Sequence, residues 1–448
     1  MQLLFLQLNV RTGANQGFRH QAGCAYLMGA LRAAGHEVAF LSVVDPDPNS
    51  LNRTLDEVAP QAIGVYLVGP MEKYLRRFLR HLKDRRPDAF VLVGGPHPTI
   101  VPTLLEEFPD LDATYRGEAE LQMLELIRRM EANEPFTDLP GFRFRRGEHI
   151  IDNPLAPLPT ESQIRELPLP HRGEEYREAL EHGGGCAHFI FSRGCPFKCT
   201  YCSNEAFNRL FGFKLRVRTV EQSLAEIDDT LSRFPVKFLG FDDDIITLRR
   251  DWFERFMKEY RDRFDKPFIT NVRVGCVAKD QLVLMKEAGA SLVQIGIESG
   301  DPTLRKEVLG RDTSDQAIAA TFEEARAAGL RTSSFNMVGL PYETPEAFMK
   351  SVRLNAAVRA DMVGFHIFHP YRGTAAWEMC AAEGWIAEET DDFVERVDTV
   401  LRMPQFTRDQ ILWSHRNVYR LVKQERLRLD REAHTGSDAE RTCHTSDV

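Results

Sequence analysis

Cys195-Pro196-Phe197-Lys198-Cys199-Thr200-Tyr201-Cys202 places three thiols in one loop with the spacing C-x3-C-x2-C. The loop follows the strand-like run His188-Phe189-Ile190-Phe191. Three thiolates make a soft-metal site with one ligand missing, because iron in a cubane cluster and zinc in a structural site both take four ligands. Two kinds of site satisfy this pattern: a 4Fe-4S cluster whose fourth iron binds an external chelator, and a zinc ion completed by a distant His or Cys.

The segment from Ser192 to Cys202 resembles the cluster loop of the radical S-adenosylmethionine (SAM) enzymes, with Tyr201 at a position that is usually aromatic. The resemblance implies a 4Fe-4S cluster held by Cys195, Cys199 and Cys202. It also implies that SAM binds the remaining iron through its amine and carboxylate, beside Tyr201. The preceding strand and the pattern further along the chain agree with this interpretation and disfavour zinc.

The composition is that of a globular protein of two or three domains, with 43% hydrophobic and 27% charged residues over 448 positions. The net charge of −9 disfavours a nucleic-acid partner. The chain begins without a basic leader, and no apolar run is long enough to span a membrane, so we expect a cytoplasmic protein with no membrane partner. The other cysteines are scattered, as in a reducing compartment: Cys24, Cys186, Cys276, Cys380 and Cys443.

Residues 1–131 alternate strand-like and helix-like runs, with strands predicted at 2–8, 38–41, 62–68, 90–93 and 113–115. This alternation predicts an α/β domain with a doubly wound, flavodoxin-like parallel sheet. Ligands of such sheets bind at the carboxyl ends of the strands. Glycines there let a bulky ligand approach the backbone, and they occur at Gly69, Gly94 and Gly95.

Residues 23–27, 93–99 and 116–120 resemble the cobalamin-binding domain that is fused to one large class of radical SAM enzymes. The resemblance implies cobalamin bound at Gly69, Gly94 and Gly95. Cobalamin proteins that place an imidazole on cobalt show an Asp-x-His-x-x-Gly loop, of which this chain has His20 and Gly23 but not the Asp. A ligating His needs an acceptor for its other nitrogen. We therefore expect cobalamin without His20 on cobalt, and His97 as a loop residue beside the tail of the ligand.

Residues 132–185 are predicted to be an interdomain linker. Alternation on both sides of Gly147 predicts a hairpin over 142–151. Five prolines between 154 and 170 then exclude both a helix and a central strand.

Residues 186–375 contain six strand-then-helix units, which predict a partial (β/α)6 barrel of the TIM type. Strands are predicted near 188–191, 236–241, 268–272, 292–297, 332–338 and 362–368. Capping boxes at Thr219 and Thr313, and the proline after Thr344, predict where three of the helices begin.

Polar residues at the strand ends of such a barrel are candidates for the active site. Residues 295–300, with Glu298, resemble the segment of radical SAM enzymes that approaches the ribose and methionyl groups of SAM. Residues 338–344, with Gly339 and Pro341, resemble the segment beside the adenine. Asp243 stands where relatives place polar groups near the methionyl amine. For the whole aspartate run and for the other polar ends, a capping, turn or packing role competes with function: Asp242, Asp243, Asp244, Arg273, Asn336, His366 and His369.

The family resemblance ends near residue 374, with one departure at Tyr371-Arg372, where Pro-Gly is commoner. We expect this departure to alter the substrate side. Residues 376–448 are predicted to be a helical region, with helices at 379–384, 391–402 and 407–427 and a disordered tail from Glu432. No motif in this region identifies the substrate.

These resemblances imply a cobalamin-dependent radical SAM methyltransferase that acts on an unactivated carbon of a small-molecule or natural-product substrate. Its cofactors would be a 4Fe-4S cluster, SAM and cobalamin, and its electron donor a protein such as flavodoxin or ferredoxin. One alternative keeps the cofactors but ends in cyclisation or rearrangement. A second, a non-catalytic cobalamin or redox sensor, is disfavoured by the complete cluster loop.

Overall fold

The computed structural model describes residues 1–9, 11–12, 15–16, 21–44, 48–389 and 393–443. These residues form two compact units, one of Met1–Asp244 with Pro370–Glu378 and the other of Ile245–His369 with Met379–Val448. Within the described ranges, no helix is both long enough and apolar enough to cross a membrane. His20 lies outside the described residues, so the expectation about its role stays a prediction.

The amino-terminal part of the first unit is built on one large sheet. Its strands are β1 Gln2–Asn9, β4 Glu37–Val44, β5 Ala62–Tyr66, β6 Phe90–Gly94, β7 Ala113–Tyr115, β8 Phe142–Arg146 and β9 His149–Asp152. Two short strands, β2 Arg11–Thr12 and β3 Asn15–Gln16, form a separate two-stranded sheet. The sheet order is β4-β1-β5-β6-β7-β8-β9, and β1 and β4 to β7 are parallel. This strand order is the flavodoxin-like one, so the doubly wound sheet predicted from the sequence is confirmed.

Both faces of this sheet are covered. Successive residues of β1 point to opposite sides, so that Leu4 and Leu6 belong to one buried cluster and Leu3 and Phe5 to another. A strand buried on both faces reads as a continuous apolar run, as residues Leu3 to Leu6 of β1 do. The helices of this region are α1 Ala22–Ala33, α2 Pro48–Val58, α3 Glu72–Arg85, α4 Pro96–Ile100, α5 Leu104–Glu107 and α6 Glu120–Glu131, with a 3-10 turn at Gly69–Met71.

The predicted hairpin is present as β8 and β9, and it is part of the sheet. Strand β8 pairs with β7 in the antiparallel direction, and Phe142 and Phe144 join the buried cluster that contains Leu3. The sheet therefore extends past residue 131. The sequence shows the hairpin but not its partner, because strand pairing is decided by contacts between distant residues.

The rest of the first unit contains the cluster loop. Its elements are α7 Glu161–Glu166, α8 Glu175–His182, β10 Cys186–Phe189, β11 Ser192–Arg193, α9 Ser203–Phe211, β12 Arg216–Val217, α10 Val220–Arg233 and β13 Phe238–Phe241. The first helix, α7, lies between Pro159 and Pro168, so the expectation that the prolines exclude a helix there is wrong: the prolines fall outside the helix, and a capping box at Thr160 begins it. Strands β10 and β13 are parallel, and β11 and β12 are antiparallel. The predicted capping box begins α10, where the Thr219 hydroxyl accepts from the Gln222 N–H.

The segment Pro370–Glu378 also belongs to the first unit. The Arg372 guanidinium donates to Glu72 Oε1 (2.9 Å), to Glu107 and to Thr103 Oγ1 (3.0 Å). These contacts are with residues of the amino-terminal sheet domain, and an effect of the Tyr371-Arg372 departure on the substrate side stays a prediction.

The second unit contains four parallel strands in the order β14-β15-β16-β17. Its elements are α11 Arg250–Arg263, β14 Phe268–Val272, α12 Lys279–Glu287, β15 Ala290–Glu298, a π-helical turn Leu304–Val308, α13 Asp315–Ala327, β16 Arg331–Val338, α14 Pro345–Val358 and β17 Met362–Ile367. Each of the six predicted barrel strands is therefore present, β10 and β13 in the first unit and β14 to β17 in the second, as a partial barrel requires.

Two helices follow, α15 Ala375–Ala382 and α16 Arg408–Cys443. The helix predicted over 391–402 is wrong for residues 393–402, where turns lead to an isolated bridge between Ile386 and Leu401. The β-branched residues Val394, Val397, Thr399 and Val400 favour extended backbone there. Helix α16 continues past the predicted end near Leu427, and Arg428 contributes an i,i+4 pair with Glu432.

Candidate functional site

The cluster loop runs from β11 to α9 and is held at several backbone positions. Asn208 Nδ2 donates to the Cys195 carbonyl (2.8 Å), and the Cys202 N–H donates to the Cys199 carbonyl (3.0 Å). The Thr200 carbonyl accepts from the Ala376 N–H (3.0 Å). These bonds fix the backbone of the loop that carries the three cysteines. Tyr201, between Cys199 and Cys202, is half-buried in this loop.

None of the three cysteines of the loop forms a disulfide bond; Cys199 is buried, and Cys195 and Cys202 are half-buried. Burial raises the pKa of Cys202 to about 12, so metal binding there must release a proton. Three soft donors in one short loop fit an iron–sulfur cluster. In the described part of the chain, no group of three or more His, Cys, Asp or Glu side chains is arranged to hold a single metal ion.

Asp243 fixes the backbone at the start of this loop through hydrogen bonds. Its side chain is fully buried, and its Oδ1 accepts from the N–H groups of Ser192 (2.6 Å) and Phe191 (3.1 Å) and from the Ser192 hydroxyl. Burial raises the pKa of Asp243 to about 7, against the lowering effect of these hydrogen bonds. The sequence predicts that Asp243 contacts SAM; the structure turns its carboxylate to the loop backbone, and contact with SAM stays a prediction.

The two neighbouring aspartates have different partners. Asp242 Oδ2 lies 2.8 Å from His188 Nδ1, and Asp244 Oδ1 accepts from Asn204 Nδ2 (2.8 Å). The three acidic side chains therefore serve three separate contacts, which the sequence run alone could not distinguish.

An open cavity of about 1010 Å³ lies at the carboxyl ends of the amino-terminal sheet. Gly94 and Gly95 line it. A Cβ at Gly94 would meet nothing within 4 Å, so the backbone there faces open space that a ligand can enter. Gly95 has φ +110°, and a Cβ would lie 2.9 Å from the Leu67 carbonyl, so this position requires glycine. The bare backbone at these glycines fits the close approach of a large cofactor such as cobalamin.

Gly69 and His97 lie outside the lining of this cavity. A Cβ at Gly69 would be 3.2 Å from the ring of Tyr371. His97 is buried, and its Nε2 lies 2.7 Å from Glu72 Oε2, so its ring is held by a carboxylate. The roles expected for both residues at the ligand stay predictions.

A second cavity, of about 770 Å³, adjoins the cluster loop and is lined by Ser192, Gly194, Ser203 and Asp244, among others. It shares five lining residues with the first cavity: Pro96, Glu118, Ile190, Arg193 and Phe207. The two cavities therefore have a common wall, which is formed by residues of the sheet domain and of the cluster region.

Two charged residues of this wall, Glu118 and Arg193, were not predicted from the sequence to be site residues. Burial opposes ionisation of Glu118, but Arg193 and Arg216 more than offset it and hold the pKa of Glu118 below its usual range. Glu118 belongs to a segment that carries the cobalamin-domain resemblance, and Arg193 to the segment that carries the cluster-loop resemblance. These two resemblances were the only indication in the sequence that Glu118 and Arg193 belong to a site, and neither indicated that the two side chains contact each other.

The remaining predicted residues, Glu298, Gly339 and Pro341, belong to the second unit. Glu298 ends β15 with φ +66°, and its Oε1 lies 3.4 Å from Arg311 Nη1. The alternative to a contact with SAM is that Glu298 pairs with Arg273 to close the strand ends; the ion pair observed for Glu298 is with Arg311. The loop after β16 is held by Glu343, whose Oε2 accepts from the N–H groups of Gly339 (2.6 Å) and Leu340 (3.1 Å).

The Glu343 side chain is fully buried, and burial raises its pKa to about 8. Pro341 is buried in the same loop. The predicted contacts of Glu298, Gly339 and Pro341 with SAM stay predictions.

Comparison with known proteins agrees with both resemblances. Residues 189–354 match the Radical SAM superfamily, and residues 10–127 match the B12 binding domain. An uncharacterized methyltransferase of Pyrococcus horikoshii is 25% identical over 402 residues, 89% of this chain and 86% of the relative. An anaerobic magnesium-protoporphyrin IX monomethyl ester cyclase of Rubrivivax gelatinosus is 26% identical over 83% of this chain and 68% of the relative.

Among solved structures, the radical SAM methyltransferase TsrM of Kitasatospora setae, determined with cobalamin and a [4Fe-4S] cluster bound, has a TM-score of 0.74 at 18% identity. The similarity covers 87% of this chain and 76% of TsrM and concerns the fold. The predicted cofactors, a 4Fe-4S cluster, SAM and cobalamin, are those of the two matched domains. The chain thus joins a B12 binding domain to a Radical SAM domain, the domain combination of cobalamin-dependent radical SAM enzymes.

Proposed function

We propose that this enzyme methylates an unactivated carbon of a small-molecule substrate, with a 5'-deoxyadenosyl radical and methylcobalamin as its reactive groups. The observation that carries the proposal is the common wall of the two cavities, because methylation needs the methyl donor and the radical source to reach one substrate carbon. When bound, the reduced cluster supplies the radical from SAM, and cobalamin supplies the methyl group.

The protein contributes placement of these groups. Cys195, Cys199 and Cys202 hold the cluster, and Asp243 fixes the loop that presents them. The bare backbone at Gly94 admits the corrin. Glu298 accepts hydrogen bonds from polar groups of SAM. The electron that reduces the cluster comes from a donor protein such as flavodoxin or ferredoxin.

The test uses anaerobically reconstituted protein with SAM, hydroxocobalamin and a chemical reductant. We expect 5'-deoxyadenosine and S-adenosylhomocysteine, the second from methylation of reduced cobalamin. Replacing any loop cysteine with alanine should abolish 5'-deoxyadenosine. The matched control is Cys186→Ala, a buried thiol in β10, which should retain it. Equal loss in this control would contradict the ligand assignment, and a wild type that does not bind cobalamin would contradict the methyltransferase.

The second candidate is a cyclase or rearrangement enzyme with the same cofactors, and the similarity to a cyclase favours it. It predicts 5'-deoxyadenosine without stoichiometric S-adenosylhomocysteine. The ratio of these two products therefore separates the candidates once a substrate is supplied.

A further inference from the structure

Four charged side chains, which we name the bridging network, join the sheet domain to the cluster region within the first unit: Glu118, Glu120, Arg193 and Arg216. Arg193 Nη1 donates to Glu118 Oε2 (2.7 Å), and its Nη2 donates to Glu120 Oε1 (2.7 Å). Arg216 donates to both oxygens of Glu118 at 2.7 and 3.0 Å. Two cations thus balance two anions.

The network is shielded from water. The side chains of Glu120 and Arg216 are 5% and 6% exposed, and those of Arg193 and Glu118 are 17% and 18% exposed. The second oxygen of Glu120 is buried and forms no hydrogen bond within the part of the chain that the structure describes. Arg193 is therefore the charge partner of Glu120. Removing one partner of a buried pair is costly, because the other charge stays in a medium of low dielectric constant.

Arg193 has little freedom to move without its neighbours. The preceding residue, Ser192, is hydrogen-bonded to Asp243, and a Cβ at the following Gly194 would lie 2.4 Å from the Lys214 carbonyl. The Arg193 guanidinium also lies 4.9 Å from the centre of the Tyr26 ring. A displacement of the carboxylates in the cobalamin domain is therefore passed to the backbone two residues before Cys195.

Glu118 and Arg193 line both cavities, and Glu120 and Tyr26 line the larger one. We propose that Arg193 is a positioning residue that couples the two cofactor sites, so that a bound cluster strengthens cobalamin binding. The inference rests on the proposed function, since it requires both cofactors. By linkage, cobalamin must stabilise the occupied cluster loop to the same extent.

A purely structural ion pair is the competing explanation. It predicts lower stability when Arg193 is lost but an unchanged influence of the cluster on cobalamin. The two explanations therefore differ in a ratio of dissociation constants, which general destabilisation does not change.

The experiment measures hydroxocobalamin binding to full-length protein, with and without the reconstituted cluster, by the change in its visible spectrum. In the wild type, we expect the cluster to lower the dissociation constant about tenfold, within the usual range of coupling between sites. In Arg193→Met the two forms should bind equally. Arg128→Met is the matched control, because Arg128 is a 52% exposed arginine that also pairs with glutamates in the sheet domain.

Arg193→Lys covers the case in which Arg193→Met does not take up a cluster. Its single ammonium keeps the charge but cannot bridge both carboxylates as the guanidinium fork does, so the ratio should fall below about threefold. A tenfold ratio that persists in either variant overturns the inference. A wild type that binds both cofactors without any coupling overturns this inference and leaves the proposed function standing. A wild type that binds neither cofactor overturns both the inference and the proposed function.

Discussion

Replacing Asp243 with alanine is expected to prevent stable assembly of the cluster while all three cysteines remain. The buried carboxylate accepts two backbone N–H groups and one hydroxyl at the start of the cluster loop. Alanine offers no acceptor, and each unsatisfied buried donor costs about 1–3 kcal/mol. Leaving these two N–H donors without an acceptor thus costs roughly 2–6 kcal/mol. This is a large share of the usual stability of a domain, about 5–15 kcal/mol, so we expect the loop to rearrange.

Asp243→Asn is the matched control. The amide oxygen can keep the bonds at 2.6 and 3.1 Å, while the amide nitrogen replaces Oδ2, which makes only a 3.3 Å contact with the Phe191 N–H. The pKa of Asp243 is raised to about 7 by burial, so a neutral side chain there is well tolerated at neutral pH. We expect the Asn variant to retain its cluster.

The assay is iron and sulfide per chain after anaerobic reconstitution, with the melting temperature and SAM affinity measured in parallel. The Ala variant should lose iron, and the Asn variant should keep iron and SAM affinity. An Ala variant with a full cluster would refute the positioning argument. An Asn variant that keeps iron but loses SAM affinity would show that the charge of Asp243 contacts SAM, as the sequence predicts.

Three further predictions concern the two units separately. Gly94→Ala should weaken cobalamin binding with an unchanged melting temperature, because its Cβ enters open space, whereas Gly95→Ala should lower the melting temperature; equal melting losses would contradict this. Glu298→Gln should weaken SAM binding roughly tenfold to a hundredfold by loss of a charged hydrogen bond, while the exposed Glu307→Gln should not, and unchanged affinity in the first variant would make Glu298 a structural residue. Burial raises the pKa of Glu343 from 4.5 to about 8, so the folded state keeps a proton that the unfolded state releases, and stability should fall as the pH rises from about 4.5 to 8. Glu343→Gln should flatten this fall in pH-dependent denaturant titrations, and an equally steep fall would argue that the carboxyl is ionised in the folded protein.

Local patterns were enough to predict most of the elements. Helix α3, Glu72–Arg85, is one of the helix-like runs between the predicted strands, because its apolar residues recur at helical spacing and glycine and proline precede it. The strand Ala113–Tyr115 and the capping box at Thr219 were also confirmed. Each of these features depends on neighbours within a few residues, which a sequence displays directly.

Features that depend on distant residues were not predictable. The pairing of β8 with β7, the ion pair of Glu298 with Arg311 and the contact of Arg193 with Glu118 each join separate segments. Asp243 shows the same limit within the site. The sequence indicated a polar strand end, but only the fold shows that its carboxylate meets the backbone of Ser192, 51 positions earlier.

The return of Pro370–Glu378 to the first unit has a consequence for dissecting this enzyme. A fragment that stops at Asp244 would lack Arg372 and leave the carboxylates of Glu72 and Glu107 without the guanidinium that both contact. Chimaeras that exchange the amino-terminal half between relatives should therefore carry this nine-residue segment with it. A single crossover point near residue 244 would pair each Arg372 with foreign acidic partners, so two crossovers are needed to keep one evolved surface intact.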